Sequence, residues 1–537
     1  MPKILISDPI APRGVELLRA EGWQVVECHA NPPEMLAAEL ADATAWILRS
    51  GTRVTPQVLE QAPALKVIGR AGIGVDNIDL DSATRRGILV MNTPGGSAIS
   101  VAEHTWALLL ALARQLPIAN EATRAGRWEK SRFTGIELKG KTLGIVGLGR
   151  IGTEVARRAL AFEMKVIAHD PFVAALLARE LGVELVSFEE LLTRADFITL
   201  HAGLSAATER LLRRETLART KRGVRIVNTA RGELIDEVAL VEALTSGQVA
   251  AAALDVFARE PARNSPLLAF PQVMATPHIA GSTEEAQEEV GWRIAQQVRD
   301  FLKEGIVRNA VNLPTLSAEE YRRVQPYLDL GERLGSFVAQ IACPASGGAG
   351  ARISRISLRY AGEVGEVNTN LVRNAVLKGV LSRIVSEAAN LVNAGTLARE
   401  RGIDLEEAAV RRTQGFPNSL GVTLHEDGQQ VSVEGAVLHG DLRILAVDDI
   451  EIEAALAGRL IFLRNRDVPG VIGRIGTLLG DRNINIASFA LGRREDVSGG
   501  AGAAALAVIR VDTPVPNSVL EALRGLPAIT FAQLVEL

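Results

Sequence analysis

Two cysteines occur in 537 residues, Cys28 and Cys343, far apart and in apolar surroundings. So few exclude a disulfide framework and a cysteine metal cluster and suit a reducing compartment, so both read as small core residues. A basic surplus is also missing: 59 Lys and Arg stand against 63 Asp and Glu, for a net charge of -4, which leaves no field to hold nucleic acid phosphates. No apolar run is long enough for a bilayer. The longest, Trp106 to Ala113, is bounded by Glu103, His104 and Arg114 and reads as a buried helix, with no membrane partner. The start, Met1-Pro-Lys-Ile-Leu-Ile-Ser-Asp8, has no charged segment followed by a long apolar run, which predicts no signal peptide and a cytoplasmic protein. Histidines and cysteines never gather at ligand spacing, so no metal is expected.

What is present is a sequence too long for one hydrophobic core, which predicts at least three domains. The first hundred residues alternate short β-branched runs (Ile4 to Ser7, Trp23 to Glu27, Ala45 to Arg49, Leu65 to Gly69) with helical stretches, the pattern of a parallel sheet covered by helices. From Lys141 the pattern restarts as Thr142 to Gly147, a helix over Thr153 to Met164, and a strand over Val166 to Asp170, with further strands at Phe197, Arg225, Ala252 and Val273. A second doubly wound domain is therefore expected. After an amphipathic stretch from Glu284 to Glu304, the Gly, Asn and Pro of Gly305 to Pro314 suggest a linker. Beyond it we read a helix over Glu319 to Ile341, a Gly-rich turn at Pro344 to Gly350, a strand over Ile353 to Tyr360, a long helical tract over Asn368 to Arg401, and strands over Gln430 to Val447. The last eighty or so residues read strand, helix, strand, strand, helix, strand, the ferredoxin-like unit.

Gly147-Leu-Gly149-Arg150-Ile151-Gly152 follows an expected strand and opens an expected helix. In that context the glycines make a tight turn and the helix amino terminus faces a pyrophosphate. Asp170, at the end of the next strand, would accept from ribose hydroxyls and repel a 2′-phosphate, and Pro171-Phe172 after it offers no arginine, which favours NAD over NADP.

Three later segments, Asn228-Thr229-Ala230-Arg231, Leu254-Asp255-Val-Phe-Ala-Arg-Glu260-Pro and Thr276-Pro-His278-Ile-Ala-Gly281-Ser-Thr283, resemble the D-2-hydroxyacid dehydrogenase family. The resemblance implies Arg231, Glu260 and His278 as the active site, and Thr229, Ala230, Arg231, Asp255, His278 and Gly281 as cofactor contacts beside the glycine loop. The chemistry supplies its own reasons: imidazole takes a hydroxyl proton near neutral pH, a carboxylate raises its pKa and orients it, and a guanidinium grips a carboxylate with two prongs. His29, His104, His425 and His439 read as core or surface residues.

Within that family, the segments Arg49-Ser50-Gly-Thr52 and Arg70-Ala-Gly-Ile-Gly-Val-Asp-Asn77 resemble those of the phosphoglycerate dehydrogenases, which implies 3-phosphoglycerate as substrate and Arg49, Ser50, Thr52 and Arg70 as its contacts. The carboxyl-terminal half resembles their long form, with an intervening domain and an amino-acid-sensing ACT domain. Asn465, Asp467, Asn485 and Ile486 match the positions that hold an effector such as serine, although an Asp before Pro also suits helix capping. The implied layout is a discontinuous substrate-binding domain (1–96 and 284–314), an NAD-binding Rossmann domain (97–283), an intervening α/β domain (315–454) that resembles an allosteric substrate-binding module, and an ACT domain (455–537), assembled as a homotetramer or homodimer. Two other readings stay open: a glyoxylate or hydroxypyruvate reductase of the same family, and a non-catalytic NADH-sensing protein like corepressors that retain this fold.

Overall fold

The computed structural model describes all residues except 30–32, 315, 317, 344–352, 386–387, 411–417, 427 and 495–502. The turn expected at Pro344 to Gly350 lies outside the described residues. In the first unit, strands β1 (Lys3–Ile6), β2 (Gln24–Glu27), β3 (Ala45–Leu48), β4 (Val67–Arg70) and β5 (Leu89–Met91) form one sheet in the order β2-β1-β3-β4-β5. All pairs are parallel. β1 and β3 are buried along their whole length, as strands with helices on both faces must be. One of those helices, Glu284–Glu304, comes from much later in the chain; Thr283 caps its start by accepting from the Ala286 amide at 3.2 Å, and its Ile294, Ala295 and Val298 are buried in the core with Ile4, Ile47 and Val67.

The second sheet contains β6 (Thr142–Val146), β7 (Lys165–His169), β8 (Glu184–Leu185), β9 (Phe197–Leu200), β10 (Val224–Asn228), β11 (Val249–Leu254) and β12 (Val273–Ala275), in the order β12-β11-β10-β9-β6-β7-β8, again all parallel. The order reverses between β6 and β9. That switch point opens a crevice at the carboxyl ends of the strands, where doubly wound sheets bind ligands. In the first sheet the switch falls between β1 and β3, whose next residues include Asp8 and Arg49.

The third sheet is mixed: β13 (Ile353–Ala361), β14 (Asp404–Val410), β15 (Ser419–Glu426), β16 (Gln429–Leu438), β17 (Asp441–Val447) and β18 (Ile450–Ala455) lie in the order β14-β13-β15-β16-β17-β18. The fourth, β19 (Arg459–Arg466), β20 (Ile486–Arg493), β21 (Ala504–Val511) and β22 (Ile529–Glu536), is antiparallel in the order β20-β21-β19-β22, with helices Val471–Gly480 and Asn517–Arg524 between strands. This is the expected βαββαβ unit. Its other face is not free: Leu460, Phe462, Val508 and Val535 share one buried core with helices Ala318–Ala342 and Thr369–Ile384, and Phe337 meets Phe462 edge-on at 5.8 Å.

Four expectations are corrected. The long helical tract is two helices, Thr369–Ile384 and Ala394–Glu400. Between them the Asn390 side chain accepts from the amides of Val392 and Asn393, and Asn393 accepts from the Asn390 amide, local bonds that compete with the helical ladder. Gly305 to Pro314 is no free linker: Asn312 accepts from the Val90 amide and donates to Ile88 and Thr84, while the Val311 amide donates to Val90. The run Gln430 to Val447 is two strands around a turn at His439 and Gly440, and β14, β15 and β18 were not anticipated. Cys28 is buried, but Cys343 is only partly so, its thiol against Glu426 at 3.4 Å; burial and that carboxylate push the thiol up to about 12.

Helices Ala318–Ala342 and Thr369–Ile384 cross through glycines: a Cβ on Gly379 would lie 2.0 Å from the Glu332 carbonyl and one on Gly335 2.2 Å from that of Val376. Gly379→Ala should therefore cost about 1–3 kcal/mol by overpacking. Gly473→Ala, at a helical position with open space around it, should gain about 0.5–1 kcal/mol. Urea unfolding of both variants checks the contrast.

Candidate functional site

Strands β10, β11 and β12 are parallel neighbours, so the residues that follow them emerge along one edge. Arg231 follows β10, Asp255 and Glu260 follow β11, and His278 follows β12. Glu260 and His278 meet: His278 Nδ1 lies 2.8 Å from Glu260 Oε2, and Glu260 Oε1 accepts from the Phe257 amide at 3.1 Å. The carboxylate bond and charge raise the His278 pKa, against burial and the charge of Arg231. Burial acts to raise Glu260, but the bonds from His278 and Phe257 hold it below the usual carboxylate range. A carboxylate only accepts, so Nδ1 carries the hydrogen and Nε2 is left to take a proton.

His278 has φ +55°, a left-handed conformation that a non-glycine residue keeps only when its surroundings impose it. Asp255 imposes it. Its carbonyl accepts from the His278 amide at 2.8 Å, and its carboxylate, fully buried, accepts from the Thr276 hydroxyl at 2.6 Å and from the Ile279 and Ala280 amides at 2.9 Å each. Burial acts to raise the Asp255 pKa, and bonds from His104, Thr276 and the two amides more than offset it.

Arg231 leaves a turn shaped by buried Asn228, which accepts from the Ala230 amide at 3.0 Å and donates to the Arg231 carbonyl at 2.7 Å. Its guanidinium reaches the first unit, 3.0 Å from Asp76. There it joins Arg70 and Arg49: burial, then the charge of Arg231, lowers Arg70 to about 10, and Arg49 acts the same way. Arg70 therefore stays charged at neutral pH, with its Nε buried and unpartnered. Asp8 holds the Arg49 loop through the Arg49 and Thr52 amides at 2.7 and 3.2 Å. Ser50 is exposed, while the Thr52 hydroxyl is already engaged by Ser7 at 2.9 Å.

The glycine loop fits a dinucleotide. Gly147 has φ +92°, and a Cβ there would sit 2.7 Å from the His201 carbonyl; a Cβ on Gly152 would sit 2.1 Å from the Gly147 carbonyl. Helix Arg150–Ala161 starts at once, three residues earlier than expected, with Gly149 at its cap and Ile151 half-buried. Asp170 is fixed by the Leu148 amide at 2.8 Å and the Phe172 amide at 2.9 Å, and Arg150 donates to the Pro94 carbonyl. Thr229 ties to Thr105 at 2.8 Å; Ala230 beside it and Gly281, in the segment that carries His278, are half-buried.

Three residues escaped the sequence reading. Asp76, inside a quoted segment, pairs with Arg231. His201 follows β9 at the switch point; Nε2 meets Thr199 Oγ1 at 2.9 Å, Nδ1 is buried without a partner, and burial lowers its pKa to about 3. Its place after a strand next to the glycine loop was the available signal. His104, read as a core or surface residue, stands 3.1 Å from Thr276 Oγ1 and 3.5 Å from Asp255.

The four effector candidates do not come together in one chain. Asn465 and Asp467 lie at the end of β19, whereas Asn485 and Ile486 start β20, which pairs at Val511 beside the beginning of β19. Six strand steps, roughly 20 Å, separate them. Asn465 is buried with an unpartnered Oδ1, Asn485 donates to Asp512 at 2.8 Å, and Asp467 sits 3.4 Å from Arg493. Asp467 does not cap the helix, whose cap is Gly470.

Family models match three stretches: the D-isomer specific 2-hydroxyacid dehydrogenase NAD binding domain over residues 106–280, the D-3-phosphoglycerate dehydrogenase intervening domain over 323–448, and the ACT domain over 459–528. The chain is 42% identical to D-3-phosphoglycerate dehydrogenase of Methanocaldococcus jannaschii over 100% of both chains, and 38% identical to that of Bacillus subtilis over 100% of this chain and 99% of the other. Among solved structures, a glyoxylate reductase from Paecilomyes thermophila is 34% identical with TM-score 0.53, covering 58% of this chain and 98% of its own. NAD-dependent formate dehydrogenase from Staphylococcus aureus in complex with NAD is 30% identical with TM-score 0.52, covering 59% and 100%.

Titrating the ring resonances of His278 by NMR should give a pKa above that of free imidazole, and Glu260→Gln should bring it down. The pair stabilises the fold only while both members are charged. Its contribution is present below the ordinary imidazole pKa and lost as pH rises through the raised His278 value; on the acid side it is present above the ordinary carboxylate pKa and lost as pH falls through the lowered Glu260 value. A Tm difference between Glu260→Gln and the unaltered chain that persists unchanged well above the His278 value would contradict the pairing.

Proposed function

From a chain that belongs to the D-3-phosphoglycerate dehydrogenases, within the D-isomer-specific 2-hydroxyacid dehydrogenase family, we infer that Arg231, Glu260 and His278 carry out its NAD-linked reaction. The protein is an NAD-dependent dehydrogenase that oxidises 3-phospho-D-glycerate to 3-phosphohydroxypyruvate, a step of serine biosynthesis. The observation that carries the site assignment is the 2.8 Å contact of His278 with Glu260, on the strand edge that also bears Arg231.

In this reading the substrate carboxylate takes a two-pronged contact from Arg231, displacing part of its hold on Asp76, while Arg49 and Arg70, with the Ser50 and Thr52 loop, supply the positive field for the phosphate. His278 Nε2 accepts the proton of the C2 hydroxyl. The imidazolium so formed is stabilised by Glu260, and its charge is further favoured by buried Asp255. Gly147, Gly149, Arg150, Ile151, Gly152, Asp170, Thr229, Ala230, Asp255 and Gly281 would hold NAD, which when bound accepts the hydride from C2. His201 stays neutral beside the glycine loop.

The ACT domain supports ligand-responsive regulation, and serine is the effector proposed for it. Because Asn465 and Asp467 sit at the opposite end of the sheet from Asn485, one serine site needs two copies of the chain, so effector binding and a homodimeric or homotetrameric state belong to the same proposal. Among the described residues no helix is long and apolar enough to cross a membrane, and a cytoplasmic setting suits a chain whose two cysteines are not joined in a disulfide.

Purified protein should reduce NAD with 3-phosphoglycerate. His278→Ala should lose about 10²–10⁴-fold in kcat yet still bind NADH, read as a saturable change in NADH fluorescence. Robust turnover of glyoxylate with none of phosphoglycerate would reject the substrate, and NADH binding without any turnover would reject the enzyme in favour of a sensor. For oxidation His278 must be neutral, so the rate rises with pH through its pKa; Glu260→Gln, by lowering that pKa, should move the acid limb of kcat/KM to lower pH. A limb that stays in place would remove His278 as the base.

A further inference from the structure

His104 lies in the middle of helix Ala98–Arg114, partly buried, outside the segments that carry the proposed chemistry. Its Nε2 is 3.1 Å from Thr276 Oγ1, and that hydroxyl is 2.6 Å from Asp255 Oδ1. A threonine hydroxyl has one hydrogen and an ionised carboxylate has none to give. Asp255 also accepts two backbone amides, so the Thr276 hydrogen points to Asp255, and towards His104 the hydroxyl can only accept. Nε2 of His104 therefore carries a hydrogen, and a directed chain runs from His104 through Thr276 to the carboxylate that holds the His278 turn.

The same helix grips that turn again at its far end. Ser100, four residues before His104 and on the same helical face, has its hydroxyl 2.7 Å from that of Thr283. Next to His104, Thr105 holds Thr229 at 2.8 Å, at the start of the turn that presents Arg231. One helix thus holds the segment carrying His278 at two points and the segment carrying Arg231 at one.

We propose that His104 is a positioning residue for the dehydrogenase reaction, which by donating to Thr276 orients the hydroxyl that locks Asp255 and so sets the angle of the His278 ring. This rests on the reading of His278 as the base. His104 touches neither substrate nor cofactor in this account. A residue that merely filled space would be replaceable by any side chain of similar bulk.

The full-length chain is assayed with NAD and 3-phosphoglycerate. His104→Leu should lower kcat by about ten- to a hundredfold, the effect of a small misplacement of a catalytic group, with both KM values changed by less than about threefold. His104→Gln, which keeps an N–H donor, should recover most of kcat. In a Thr276→Val background His104→Leu should cause a much smaller further loss, because most of its effect passes through that hydroxyl and only the 3.5 Å approach of Nε2 to Asp255 remains. Unchanged kcat in His104→Leu, a loss confined to KM, a Gln variant as slow as the Leu variant, or losses that multiply in the double variant would each overturn the proposal. Should Thr276→Val fail to fold, the comparison of Gln with Leu at position 104 decides alone. A chain without phosphoglycerate turnover before any substitution would instead sink the proposed function, which separates the two failures.

Discussion

A carboxylate with no exposure to solvent, Asp255, is the constraint on which the edge proposed as catalytic depends. Burying such a charge is costly unless donors surround it, and here a hydroxyl and two backbone amides do so. Those donors all belong to the segment that carries His278. The charge therefore acts as the mould for the turn: the amides can reach it only if the chain curls, and the curl puts His278 into the left-handed region at φ +55°. From that backbone the ring meets Glu260, and the glutamate in turn makes the imidazole a stronger base.

The two parallel sheets explain why oppositely charged groups collect between the units. Each sheet has a switch point, and the residues just beyond its strands are free of the ladder and able to point into a cleft. The first sheet sends out Asp8, Arg49 and Arg70, the second Arg231 and the His278 turn. Three guanidiniums facing one another are unfavourable without an anion: the charges of Arg231 and Arg49, with burial, lower the pKa of Arg70, and Asp76 against Arg231 offsets only part of that. Such a cleft suits the small molecule with two anionic groups that the proposed function places there. At the other end of the chain, sharing one core between the third and fourth sheets means that the effector module cannot rearrange without the helices packed on it, and Asn390, which donates to the Gly87 carbonyl at 2.8 Å, carries that body onto the first unit.

Local signals were legible in the sequence and compound ones were not. The glycine loop with Asp170 reads clearly because every part of it lies within one βαβ unit, and Gly147 and Gly152 each have a steric reason. Arg231, Glu260 and His278 were recognisable by family resemblance, and their residue types suit the reaction, but only the parallel register could bring their strand ends to one edge. His104 gave no sign, since a single histidine in an apolar helix looks the same whether it meets a carboxylate or a leucine. The break at Asn390 was hidden because side-chain bonds to the backbone leave the hydrophobic pattern intact. β14 was missed for another reason: Asp404-Leu-Glu-Glu-Ala-Ala-Val410 is an exposed edge strand without apolar alternation. The effector residues matched their motif in sequence, yet a βαβ crossover necessarily starts its second strand at the end where the first began.

The central claim is that a Glu260-backed imidazole faces the hydroxyl to be oxidised while a guanidinium holds the adjoining carboxylate. A crystal structure of the chain with NAD and 3-phosphoglycerate bound tests it most directly. The account requires His278 Nε2 within hydrogen-bond reach of the C2 hydroxyl, about 2.6–3.2 Å, with Arg231 turned from Asp76 to the carboxylate. A bound substrate whose hydroxyl faces another residue, with His278 and Glu260 still paired but remote from it, would contradict it.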